Sequence, residues 1–116
     1  MAIIGLHTIV YSSHAEEVRA FFRDVLDYPS ADAAGGGWLI FAMPPAELAV
    51  HPGDEPRQEL YLMCDDLPAT MTELTAKGVT FTKPVDEQRW GAITAIALPG
   101  GTEIGLYQPY HPLPPR

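Results

Sequence analysis

Apolar and polar positions along the chain fall into two rhythms, a period near two and a period near 3.6, and the second half repeats the order of the first. Leu6-His7-Thr8-Ile9-Val10-Tyr11 alternates as a strand does and opens into an amphipathic helix. Glu59-Leu60-Tyr61-Leu62-Met63-Cys64 does the same further on, with Asp65-Asp66 leading into a second helix. Each half closes on a related run, Ala46-Glu47-Leu48-Ala49-Val50-His51-Pro52 and Thr102-Glu103-Ile104-Gly105-Leu106-Tyr107-Gln108-Pro109. A strand–helix–strands unit of this kind curls into half a barrel. Two copies side by side make a cup, in which His7 and Glu59 hold equivalent positions on facing walls.

Between these landmarks the local signals are specific. Ser13-His14-Ala15-Glu16 has the spacing of a capping box, and Val18, Phe21, Phe22, Val25 and Leu26 form the stripe of a helix lying on a sheet. Asp27-Tyr28-Pro29 stops that helix. Gly35-Gly36-Gly37 turns the chain into a strand, Trp38–Met43, which Pro44-Pro45 ends, and Ala46–His51 returns beside it. His51–Pro56 is the linker. Asp66 caps a helix carrying Met71 and Leu74, and Lys77-Gly78 closes it. Val79–Lys83, Ala92–Leu98 and Glu103–Gln108 read as strands, the last two joined by Pro99-Gly100-Gly101-Thr102. The expectation is one α+β domain over 1–116 built of two tandem βαβββ repeats, about 1–53 and 56–109, forming a curved mixed sheet. A proline-rich extended tail, 109–116, follows on the surface.

Composition narrows the class. A chain of 116 residues with 47% hydrophobic and 19% charged residues supports one modest core. No apolar run approaches the roughly 20 residues that span a bilayer. Met1–Gly5 runs into structure without the basic start and cleavage site of a signal peptide. The single cysteine, Cys64, excludes an internal disulfide, suits a reducing cytoplasm, and reads as a small buried hydrophobe. A net charge of −8 with seven scattered basic residues argues against nucleic acid and anionic membranes as partners.

The sequence resembles the vicinal oxygen chelate superfamily, which includes glyoxalase I, extradiol dioxygenases, fosfomycin-resistance enzymes and bleomycin-binding proteins. The resemblance covers nearly the whole chain. It rests on His7 with Phe21-Phe22-Arg23-Asp24-Val25-Leu26, on Thr75-Ala76-Lys77-Gly78-Val79, and on Trp90-Gly91 followed by Leu98-Pro99-Gly100-Gly101-Thr102-Glu103-Ile104. It implies the glyoxalase-like fold, and it implies metal positions at His7, Ala49, Glu59 and Gly105. Alanine and glycine cannot ligate, so two of the four positions are lost, and a catalytic divalent site normally needs three protein ligands. His51 stands two residues beyond Ala49 and so on the same strand face. With His7 and Glu59 it would make a two-histidine, one-carboxylate set suited to iron, manganese or zinc, with nickel a further candidate.

The competing reading of His7 and Glu59 is a satisfied structural pair, with burial raising the Glu59 pKa and a charged histidine lowering it. His14 reads as solvated, His111 as outside any ligand set, and Asp65-Asp66 as capping. The cup wall points to ligand binding. Tyr11 shares a face with His7, Tyr61 and Met63 with Glu59, and Tyr107 with Gly105, while Trp38 and Trp90 read as core, rim or stacking residues. Small residues at Ala49 and Gly105 leave volume for a flat or bulky organic ligand.

Three functions follow. The first is a metal-free binding protein for a small aromatic or amphipathic molecule, lined by Tyr11, Trp38, His51, Tyr61, Met63, Trp90 and Tyr107. The second is a metalloenzyme of lyase, dioxygenase or thiol-transfer type using His7, Glu59 and His51. The third is a metal-free enzyme with Glu59 as general base tuned by His7. The first is favoured, no cofactor being expected, and the resemblance implies a two-fold homodimer whose pocket is shared between subunits.

Overall fold

The computed structural model describes residues 7–32, 35–52, 54–55 and 57–115. Met1–Leu6, where the first strand was expected to begin, lies outside the described residues, as do Gly53 and Pro56 of the linker and Arg116 of the tail. The chain gathers into two units, Met1–Val50 and His51–Arg116.

In the first unit, helix α1 (Ala15–Ala20) passes directly into a π-helical turn, Phe21–Val25. The stripe expected from the sequence buries Val18, Phe21 and Phe22 and leaves Val25 and Leu26 half-buried. Phe22 stacks on Tyr28 at 6.1 Å and tilts against Phe41 at 5.8 Å, tying the helix to the strand that follows. The expected capping box does not form. His14 is the N-cap without a side-chain bond, and Ser12 Oγ accepts from the His14 N–H at 3.0 Å, so a hydroxyl one residue earlier turns the chain. Asp27 ends the helical segment in the left-handed region, φ 58°. Strands β1 (Ser30–Asp32) and β2 (Leu39–Phe41) form an antiparallel hairpin. Its turn is held by Asp32 Oδ2, which accepts from the Gly37 N–H at 2.9 Å. Ser-Ala-Asp has no strand periodicity of its own; the turn brings it alongside β2.

Two expected strands do not form among the described residues: neither His7–Tyr11 nor Ala46–His51 lies in a strand, and Leu48 and Val50 stand 85% and 86% exposed. Alternation selects a face, but a strand exists only where another backbone supplies its hydrogen bonds. Among the described residues the βαβββ order is visible in the second unit.

The second unit runs β3 (Tyr61–Met63), α2 (Leu67–Ala76), β4 (Asp86–Gln88), β5 (Gly91–Ala97) and β6 (Glu103–Pro109). The strands form a mixed sheet in the order β3-β6-β5-β4, with β3 parallel to β6 and the other pairs antiparallel. Leu62, Ala92, Thr94, Ile96, Ile104 and Leu106 share one face and are buried together with Leu67 and Leu74 of α2. Asp66 caps α2 as expected, accepting from the Ala69 N–H at 3.0 Å, and Gln108 Oε1 accepts from the Leu67 N–H at 2.7 Å. Gly78, at φ +88°, closes the helix in the conformation that favours glycine. The strand expected over Val79–Lys83 is reduced to a bridge between Phe81 and Ile96. Pro84 has no N–H to continue the ladder, and Thr94 Oγ1 takes the Lys83 carbonyl at 2.7 Å instead. The edge resumes as β4.

Candidate functional site

The face of this sheet opposite α2 carries the chemistry. In-register partners across β3, β6 and β5 place Tyr61, Gly105 and Ala95 in one row, and Met63, Tyr107 and Ile93 in the next. Here the tyrosines lie down on glycines of the neighbouring strand. A Cβ built on Gly105 would overlap Cδ1 and Cε1 of Tyr61, and one built on Gly91 would overlap Cε2 of Tyr107 and the Gln108 carbonyl. Tyr107 is the hub, with Tyr61 at 6.2 Å, Trp90 at 5.7 Å and His111 at 5.9 Å between ring centroids. Tyr61 remains 40% exposed and Trp90 47%, so apolar ring surface faces solvent.

Glu59 stands beside this aromatic floor with both oxygens engaged. Tyr61 donates its hydroxyl proton to Oε2, and Arg57 Nη1 donates to Oε1 at 2.6 Å. The Tyr61 bond, with Arg57 and His51 adding positive charge, holds the Glu59 carboxyl below its ordinary range. The same bond, with burial, pushes the Tyr61 phenol up to about 12. The pair is a carboxylate and a neutral phenol at any physiological pH. A carboxylate so held is a weaker base than a free one.

A shallow depression of about 410 Å³ opens on this side, lined by Glu59, Tyr61, Lys83, Asp86, Ile93 and Gly105 among others. Its rim is paired: Lys83 Nζ lies 3.1 Å from Glu103, which also accepts from Thr82 Oγ1 at 2.6 Å. A second depression, about 490 Å³, lies on the helix side between α2 and the β4 edge. It is the larger of the two, yet Asp66 is spent on its cap, and its aromatic residue, Tyr110, donates its hydroxyl to Glu87.

The sequence-predicted residues are distributed as follows. Tyr61, Met63, Trp90 and Tyr107 come together on the open face, with Glu59 at its edge. His51 belongs to the same unit, exposed and outside regular structure. His7, Tyr11 and Trp38 belong to the first unit. There Tyr11 is exposed and Trp38 lies under the Arg19 guanidinium at 5.1 Å. The volume expected above Gly105 is filled by the Tyr61 ring, because β3 pairs directly with β6 in the Tyr61↔Gly105 register. His111, set aside from the sequence, lies against Tyr107, since β6 carries its ladder into the tail and the Tyr110 N–H reaches the Trp90 carbonyl at 2.9 Å. Arg57 was missed, its only signal being a cation two residues before Glu59.

A metal fits this donor set poorly. Both Glu59 oxygens have partners, Gly105 is roofed by a ring, and Ala49 has no donor atom. Among the described residues no three or more His, Cys, Asp or Glu side chains gather where they could hold an ion. Nor, among them, is any helix long and apolar enough to cross a membrane.

No family model and no curated protein matches the chain. Solved structures do. The antibiotic binding protein TnmS3 from Streptomyces sp. CB03234 is 29% identical over 94% of this chain and 98% of its own, with a TM-score of 0.67. A glyoxalase/bleomycin resistance protein from the same Streptomyces is 28% identical over 85% and 95%, TM-score 0.59. A member of the glyoxalase/bleomycin resistance protein/dioxygenase superfamily from Sphaerobacter thermophilus, at 24% identity over 93% and 98% with a TM-score of 0.63, shares the fold. The chain has the α+β glyoxalase-like fold, and its likeness to these structures supports the vicinal oxygen chelate superfamily.

Proposed function

We propose that this chain is a binding protein of the bleomycin-resistance kind, taking a small flat aromatic or amphipathic molecule on the open face of the second unit without a catalytic metal. The observation that carries the reading is the half-exposed Tyr61, Tyr107 and Trp90 cluster laid over Gly105 and Gly91. Exposed rings with fixed geometry bind planar molecules at low conformational cost. The likeness to an antibiotic binding protein at 29% identity supports it. Metal-dependent catalysis would ask Glu59 to abandon two strong partners and would still lack ligands at Ala49 and Gly105.

The working unit in this reading is a homodimer. Ile9, Tyr11, Leu48 and Val50 alternate along two segments and stand exposed, and a second copy of the chain is the partner that would bury them.

Fluorescence titration with a panel of planar aromatic compounds, run with and without a chelator, tests the reading. Binding should survive chelation, and Tyr61→Ala or Trp90→Ala should each weaken it roughly tenfold, as the loss of a central aromatic contact does. Binding abolished by chelator would reject the metal-free reading.

A further inference from the structure

We propose that Glu59 is a positioning residue for recognition: braced by Arg57, it pins the Tyr61 hydroxyl so that the ring lies on Gly105 as a pure π floor, selecting ligands that present an unsubstituted aromatic face there. This rests on the binding reading above and specifies what the site accepts.

Three observations converge. Gly105 provides the recess, since any Cβ there would overlap the Tyr61 ring. Glu59 and Tyr61 are two residues apart at the entrance of one strand, so their side chains emerge on the same face and the carboxylate meets the hydroxyl. Arg57 then occupies the other Glu59 oxygen and keeps the carboxylate from swinging outward. The phenol proton is thereby spent internally, and each carboxylate oxygen already holds one partner. A ligand acceptor finds no unspent phenol proton here, and a ligand donor must share a carboxylate oxygen with Tyr61 or Arg57.

The neighbouring ring sharpens the selection. Tyr107 is inclined 65° to Tyr61, so a planar molecule lying on Tyr61 meets the second ring by its edge. Polar substituents are left to point toward Lys83, Asp86 and Glu103, where the depression opens. The chemical class is a planar aromatic with one bare face or edge and its polar groups gathered on the opposite side.

The test is a double-mutant cycle on the whole chain, using the neutral fluorophore N-phenylnaphthylamine as the probe. Glu59→Gln, which leaves a neutral amide oxygen as acceptor, and Tyr61→Phe, which removes the donor, weaken the same bond from opposite ends. Each should weaken the probe by roughly three- to tenfold, and the double variant should be no weaker than the poorer single one. In Glu59→Gln, near-ultraviolet titration of the phenols should lose its latest-titrating tyrosine. Additive effects would mean that Glu59 touches the ligand directly, and unchanged affinities would mean that the pair plays no part in recognition; either overturns the proposal. If wild type binds neither this probe nor any other planar aromatic, the binding reading fails and this inference fails with it. All the substituted side chains are solvent-exposed, so the variants should fold, which far-ultraviolet circular dichroism checks.

Discussion

At the scale of single residues the decisive feature is an absence of atoms. Gly105 has no side chain, and Tyr61 uses the space. Gly105→Ala should lift the ring off the floor. It should weaken planar ligands more than it destabilises the protein, because the displaced ring can move into solvent; titration and thermal unfolding of the same sample compare the two. The Glu59–Tyr61 bond also has a pH signature. The Glu59 carboxyl is held below its reference value of 4.5, so its contribution to stability is complete above that value and is lost as pH falls through the depressed folded value. Tyr61 runs the other way: its phenol is raised from 10.0 to about 12, so its contribution is complete below 10.0 and disappears as pH rises through about 12. In Glu59→Gln both flanks of the stability profile should flatten. Glu59, Tyr61 and Tyr107 were legible as neighbours on one face because their types and alternation are local facts. That Tyr61 would fill the space over Gly105 was not, because it depends on which strand lies next to which.

At the scale of elements, signals confined to a few residues were the ones that survived folding. Asp66 and Gly78 punctuate α2 as read from the chain, since a cap needs only its own next turn and a left-handed closure only its own backbone. Asp66→Ala should cost about 1 kcal/mol and lower the melting temperature by on the order of 4 °C, with the Gln108 bond to Leu67 limiting the damage. A calorimetric scan decides it. The Ser13–Glu16 box did not form: His14, not Ser13, became the N-cap, with its own N–H held by Ser12 Oγ. The Val79–Lys83 strand shrank because Pro84 removed a donor at its end, and β4 formed beyond it from residues with no apolar alternation.

At the scale of the molecule, the second unit is a completed sheet with a helix on one face and an aromatic floor on the other. In the first unit two alternating segments lie outside any strand among the described residues, with Ile9, Tyr11, Leu48 and Val50 exposed. If these are the contact with a second copy, Val50→Asp should turn a dimer into a monomer in sedimentation velocity while leaving the α2-backed sheet folded. An unchanged sedimentation coefficient would locate the dimer contact elsewhere. A dimer disrupted at this segment should also bind planar ligands less tightly if the partner lines the pocket, which links the oligomer test to the titration.

The sequence by itself determined the helix punctuation, the β5–β6 turn, the faces on which the tyrosines would emerge and the loss of ligating atoms at Ala49 and Gly105, all of which follow from residue type and period. Only the tertiary structure decided what those faces hold. Placing β6 beside β3 set one ring over Gly105, and the bond between Tyr61 and Glu59 turned a candidate base into a clamp. Strand order is chosen by non-local pairing, and no stretch of sequence a few residues long contains the neighbour it will be given.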